Sequence, residues 1–177
     1  MITEASGNQA WPDEVYDWVN THWGQSRINN QLCPIDPTTG ERSVTGCVAT
    51  AMGQIVNYWG TMTGSPAPVT LSGSYTTSTR RIIVDRTTAS FSAMAYPAQD
   101  SGIAQLLFAC GAAISMDHTS SYSGATLAGF ESVLQRTFGF SNADGMNPNS
   151  DFYATLQDNM KSGMPAQLSI GSIDCHV

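Results

Sequence analysis

The feature that most limits the fold is the stretch TGCVATAMGQIVNYWG, residues 45–60. Its apolar residues recur at the spacing of one helix face, at Val48, Ala51, Met52, Ile55, Val56 and Trp59. Gly60 supplies a C-terminal stop. The pattern predicts a central, buried helix that begins at Cys47. A cysteine at this point is either a small apolar filler or a reactive group placed at a helix N-terminus.

Apolar stripes elsewhere predict three more helices and little regular sheet. The helices are expected over 101–114, with a break near Gly111, over 125–139, and over 151–162. A short helix start is expected within 12–22, a loop over 23–40, a strand at 80–85, a short segment at 91–97, and a turn followed by a strand over 163–172.

Composition excludes several classes of partner. The 177 residues are enough for one domain, and 7 Lys+Arg against 14 Asp+Glu give a net charge of -7 without a basic cluster. Nucleic acid and anionic membranes are therefore not expected as partners. No apolar run reaches the ~20 residues of a membrane helix, and the N-terminus lacks the pattern of a signal peptide.

The charged fraction is 12%, about half of the average of about 25%. A polar but weakly charged surface of this kind is typical of exported bacterial proteins. If the protein is exported, the sequence is expected to be its processed or recombinant form.

The four cysteines have no CxxC spacing, so no metal site is expected. Two disulfides are arithmetically allowed, but a chain of this length does not need them. Cys110 lies on a helix stripe and is predicted to be in the core, whereas Cys33, before Pro34, is predicted to be partly exposed. Cys175 should point away from its neighbour His176 if the strand continues.

A cysteine at a helix N-terminus is favoured as the thiolate, but a nucleophile also needs an imidazole and donors for an oxyanion. His22 and His118 lie in polar segments, where an exposed histidine is the ordinary interpretation. His176 follows a predicted strand. The residues alone thus leave both a Cys47–His176 pair and a structural cysteine open.

Several segments, in this order, resemble the streptopain family of secreted bacterial cysteine peptidases. They are WGQSRINNQLCP at 23–34, TGCVATAMGQIVNYW at 45–59, CGAAISMDHTSSYSGA at 110–125, RTFGF at 136–140 and GMPAQLSIGS at 163–172. The most specific is GCVATAMGQI. Family members usually have glycine before the final histidine, whereas this chain has Cys175.

The resemblance implies an α+β, papain-like fold of two domains and an endopeptidase without cofactor or metal. It makes Cys47 the nucleophile, His176 the general acid and base, and Gln25 the side-chain donor to the oxyanion. Without the resemblance, Gln25 would be read as a solvated loop residue.

The resemblance also places Ser123, Gly124 and Ala125 along the substrate cleft, where an extended peptide could be hydrogen-bonded. The alternative for Ser123 is the N-cap of the helix predicted after it. Peptide or protein substrates are the partners implied, and a secreted location is expected.

Members of the family continue beyond the catalytic histidine with further strands and a tryptophan-rich segment. We therefore expect residues 1–177 to be an incomplete peptidase domain, with its helical left-hand part complete and its β-rich right-hand part only begun. Such a chain should associate with a complementary C-terminal segment or with itself. The alternative function is a non-catalytic binding module with a peptidase fold, within a larger exported protein.

Overall fold

The computed structural model describes residues 19–64 and 68–169. Its helices are α1 (Cys47–Thr63), α2 (Ser101–Ala113), α3 (Phe130–Phe138) and α4 (Phe152–Lys161), and a short 3₁₀ helix spans Arg86–Ala89. Strands β1 (Ser74–Thr76) and β2 (Ile83–Asp85) pair antiparallel, with Tyr75 opposite Val84. The described part is thus helical with one small sheet, and none of its helices is long and apolar enough to cross a membrane.

The core lies where α1 packs on α2. Met52 on α1 and Leu106 and Leu107 on α2 are completely buried. The helices can approach closely because Gly53 has no side chain, since a Cβ there would overlap Leu107. This packing confirms the prediction that the helix following Cys47 is central and buried.

The glycines predicted to end or break α1 and α2 lie inside these helices. Helix α1 continues past Gly60 to Thr63 and ends at Gly64, which has φ 66° and donates its N–H to the Gly60 carbonyl. Gly60 faces the Tyr96 ring, leaving no room for a Cβ, and so lets this ring approach the helix. Gly111 lies near the end of α2, where a Cβ would make an ordinary contact with Met116 at 3.5 Å.

The predicted helix over 125–139 begins late, at Phe130, because Gly129 before it is left-handed with φ 78°. The helix predicted over 151–162 and the strand predicted over 80–85 are confirmed in shorter form. Residues 164–169 follow the expected turn but pair with no strand among the described residues. Residues 19–22 are not helical, and the remainder of that predicted helix start lies outside the described residues.

A buried carboxylate joins the loop before α1 to two other loops. Asp36 is fully buried and accepts hydrogen bonds from the Thr38 N–H at 2.9 Å, the Ser120 N–H at 3.0 Å and Arg80 Nε at 2.9 Å. The Ser120 N–H is the largest cause that lowers the pKa of Asp36, and Arg80 adds to it. Because the carboxylate stays charged and paired, the network holds these loops in one arrangement.

The prediction that His118 is exposed is wrong. Its side chain is completely buried, with Cε1 3.7 Å from the position that a Cβ of Gly111 on α2 would occupy. Neither ring nitrogen has a hydrogen-bond partner among the described residues. The polar sequence around His118 suggests an exposed loop, but Thr119 and Ser123 form hydrogen bonds to each other within the loop instead of facing water.

Burial lowers the pKa of His118 to about 4. The Val44 main chain and the Asp117 carboxylate favour the charged ring, but burial is the larger effect. The folded protein therefore holds the neutral imidazole.

This burial predicts a loss of stability in mild acid. In the unfolded chain His118 binds a proton near pH 6.5, whereas in the folded chain it binds one only near pH 4. The free energy of unfolding should fall across that window by up to roughly 3 kcal/mol. Urea unfolding at a series of pH values should show a smaller slope for His118→Phe than for wild type, the remaining slope coming from carboxylates with a lowered pKa such as Asp36. The exposed His22→Phe is the matched control, and a slope unchanged in His118→Phe would contradict the assignment.

Candidate active site

Cys47 is the first residue of α1, half-buried, with a free thiol. The first intrahelical bond is donated by the Thr50 N–H to the Gly46 carbonyl at 3.0 Å, so the N–H groups of residues 47–49 precede it. No side chain caps this end, and no acidic residue occupies the first turn. The positive end of the helix dipole is thus uncompensated within the helix where the thiol lies.

Glycine is the residue type that fits at position 46, immediately before Cys47. Its φ of 88° is unfavourable for any residue with a side chain. A Cβ would also lie 2.7 Å from Met116 Cε and 2.8 Å from the Ser123 carbonyl oxygen. The loop around residues 116–124 therefore lies directly against the N-terminus of α1.

Gln25 is held near Cys47 through its main chain. Its carbonyl accepts the Thr45 N–H at 3.0 Å, and the residue is exposed. Two buried amides fix the surrounding loop: Asn29 Nδ2 donates to the Gly24 carbonyl at 2.7 Å and Asn30 Nδ2 to the Ser43 carbonyl at 2.9 Å. The sequence predicts a loop here, and its consecutive asparagines are the signal for side-chain bonds to the backbone.

Ser123 is buried and is not a helix N-cap, since α3 begins only at Phe130. Its Oγ accepts the Thr119 N–H and donates to the Thr119 carbonyl, each at 3.1 Å. Gly124 forms an antiparallel bridge with Asp117, accepting its N–H at 2.8 Å and donating back at 3.1 Å. Ala125 is half-buried against the core. The Ser123 side chain and the Gly124 N–H are therefore already used inside the loop.

The predicted histidine, His176, lies outside the described residues. The segment that leads to it is described as far as residue 169 and runs beside α1. Tyr58 Oη donates to the Gly163 carbonyl at 2.7 Å, and Gln167 Nε2 donates to the Val48 carbonyl at 3.3 Å. Gln167 is not predicted from the sequence, because a single glutamine after a turn carries no signal of a contact with the first turn of α1.

The other two described thiols are buried. Cys33 is 1% exposed, so the prediction that it is partly exposed is wrong, and burial raises its pKa to about 12 against the opposing charge of Arg42. Cys110 is in the core as predicted, and burial raises its pKa also. Residues 19–64 and 68–169 contain no group of three or more His, Cys, Asp or Glu that could hold a metal ion.

A family model matches most of the chain: the Peptidase C10 family model covers residues 23–177 and agrees with the resemblance to streptopain peptidases. No curated protein sequence matches.

Among solved structures, the chain is similar to active wild-type interpain A cysteine protease of Prevotella intermedia. The TM-score is 0.66 and the identity 25%, over 88% of this chain and 71% of that chain. A prointerpain A fragment from the same organism is similar at TM-score 0.56 and 27% identity over 77% of this chain, which spans about half (49%) of that one. The described fold is thus similar to that of a papain-like cysteine protease.

Gly46→Ala should displace Cys47 and lower stability, because the new Cβ meets both Met116 and the Ser123 carbonyl. We expect a loss of about 2–4 kcal/mol in the free energy of unfolding, combining strain and overpacking. Urea unfolding measures it. Gly40→Ala is the matched control, since Gly40 also has a positive φ (72°) but no atom within 4 Å of a Cβ. Equal losses in the two variants would show that the close contact across Gly46 is unimportant.

Proposed function

Since the chain belongs to the Peptidase C10 family, we propose that it is a cysteine endopeptidase that hydrolyses peptide bonds in proteins, with Cys47 as its nucleophile. The observation that carries the proposal is the contrast among the described thiols. Cys47 is half-buried at an uncapped helix N-terminus, whereas Cys33 and Cys110 are sealed in the core. A reactive cysteine needs access and a positive local field, and Cys47 combines both.

In the proposed reaction, Cys47 Sγ attacks the carbonyl carbon of the scissile peptide bond, and the carbonyl electron pair moves to oxygen. As the tetrahedral intermediate collapses, the C–N bond breaks and the His176 imidazolium gives its proton to the leaving amine. A thioester on Cys47 remains. Neutral His176 then takes a proton from water, whose oxygen attacks the thioester, and the acid and the Cys47 thiolate are released.

The oxyanion formed in each step needs donors that are fixed beforehand. We assign the Gln25 side-chain amide and the Cys47 N–H. The Gln25–Thr45 main-chain bond supports this assignment, because it holds Gln25 against the residues directly before Cys47. A neutral amide also donates without altering the charge of the thiolate–imidazolium pair.

The substrate is assigned to a cleft bordered by Ser123, Gly124 and Ala125. Since Ser123 is buried and its hydroxyl and the Gly124 N–H are committed within the loop, a peptide would bond to main-chain groups of the half-buried Ala125. In this proposal the described residues form the helical half of a two-domain papain-like fold, and His176 belongs to the other half.

Alkylation of the native protein by iodoacetamide should be selective for Cys47 over the other two described thiols. Cys33 and Cys110 are excluded because each is at most 1% exposed. Peptide mapping by mass spectrometry should find carbamidomethyl on Cys47 in the native protein, and on Cys33 and Cys110 only after denaturation. Labelling at Cys33 while Cys47 stays unmodified would overturn the assignment and favour a non-catalytic module.

Gln25→Ala should lower peptide turnover by ~10²-fold or somewhat more, the usual value of one oxyanion donor. Alkylation of Cys47 should persist, since forming the thiolate does not need this amide. The assay is hydrolysis of a fluorogenic peptide. Gln31→Ala, exposed in the same loop, is the control and should keep wild-type turnover. If Gln25→Ala also abolishes alkylation, Gln25 has a structural role instead.

A further inference from the structure

The segment after α4 is held against α1 at two points. The Tyr58 hydroxyl bonds the Gly163 carbonyl, and the Gln167 amide bonds the Val48 carbonyl. Tyr58 and Val48 are ten residues apart on α1, a rise of about 15 Å. Gly163 and Gln167 are four residues apart and span at most about 14 Å when extended. These lengths are similar. The later residue of the segment contacts the earlier residue of the helix, so residues 163–167 run antiparallel to α1 and reach its N-terminus at Gln167.

No backbone ladder enforces this path among the described residues. Residues 164–169 have no strand partner there, and only the start of the segment is tied back, by the Met164 N–H to the Asn159 carbonyl at 2.9 Å. Beyond Gly163, the described hydrogen bond between the segment and α1 comes from the Gln167 side chain. Beyond Gly163, the hydrogen bonding that holds the segment to the first turn of α1 therefore rests on one amide.

The oxygen of the same amide lacks a hydrogen-bond partner in the described part of the chain. Gln167 Oε1 is buried and has no hydrogen-bond partner among the described residues. An unpaired buried acceptor costs about 1–3 kcal/mol, whereas an apolar side chain of the same length would carry no such penalty. Stability alone thus does not favour glutamine at this position.

We propose that Gln167 is a positioning residue, whose bond to the Val48 carbonyl fixes the segment leading to His176 at the turn that carries Cys47. This inference rests on the proposed function, because the segment that the amide holds continues in sequence to the proposed general acid and base, His176. Reacting groups displaced by about 1 Å can lose about 10²-fold in rate. Gln167 is therefore expected to affect turnover without contributing to folding stability.

The test is Gln167→Met, which keeps the length of the side chain and removes both polar atoms. On a fluorogenic peptide, kcat should fall about 10- to 100-fold with KM within about twofold. The urea midpoint should stay at or above the wild-type value, because the unpaired Oε1 is gone. Iodoacetamide labelling of Cys47 should slow at neutral pH and recover at alkaline pH, where the thiolate forms without an imidazole. Gln157→Met, exposed on α4, is the matched control and should behave as wild type.

The outcomes separate this inference from the proposed function. If wild type hydrolyses the peptide and Gln167→Met matches its kcat, the positioning role is overturned while the peptidase stands. If kcat and the urea midpoint fall together, Gln167 is a structural residue and the inference is overturned. If wild-type Cys47 is neither acylated nor alkylated, the proposed function fails and the inference with it.

Discussion

The contact on which the site depends is the approach of the 116–124 loop to the N-terminus of α1 across Gly46. A carbonyl oxygen and a methionine side chain lie where any other residue at this position would place its Cβ. The neighbouring positions anchor other segments: the Thr45 N–H holds the Gln25 loop, and the Val48 carbonyl holds Gln167. Three parts of the chain that are distant in sequence thus contact positions 45, 46 and 48, on either side of Cys47.

Polar groups, more than regular sheet, hold these parts in place. The described residues contain one two-stranded ladder, so the loops around the site rely on side chains for their geometry. Asp36 binds two loops to its own, and Asn29 and Asn30 hold the loop of Gln25. Such networks are stable only when nearly every member is paired, which makes the unpaired nitrogens of His118 and Oε1 of Gln167 informative exceptions.

The sequence predicts the features that depend on local periodicity. The start of α1 at Cys47, the core position of Cys110 and the existence of three further helices follow from apolar spacing. Long-range packing could not be predicted. Gly60 accommodates a ring from residue 96, so a glycine that looks like a stop lies within the helix.

The predictions of exposure for His118 and Cys33 are wrong for different reasons. His118 is surrounded in sequence by polar residues, which in the fold bond within their own loop. The position before Pro34 predicts partial exposure of Cys33, but its side chain packs into the core. At the candidate site, the assignments of Cys47 and Gln25 come from pattern and resemblance, whereas the contact of Gln167 with α1 spans 119 residues of sequence and leaves no local signal.

The central claim is that a peptide acyl group is transferred to the sulfur of Cys47. The most direct measurement is rapid acid quenching of the protein during turnover of an activated peptide ester, followed by intact-mass analysis and peptide mapping. The account predicts one acyl group per chain, attached as a thioester at Cys47 and absent from Cys47→Ser. Hydrolysis that proceeds with the acyl group on another residue, or in Cys47→Ser at the wild-type rate, would contradict it.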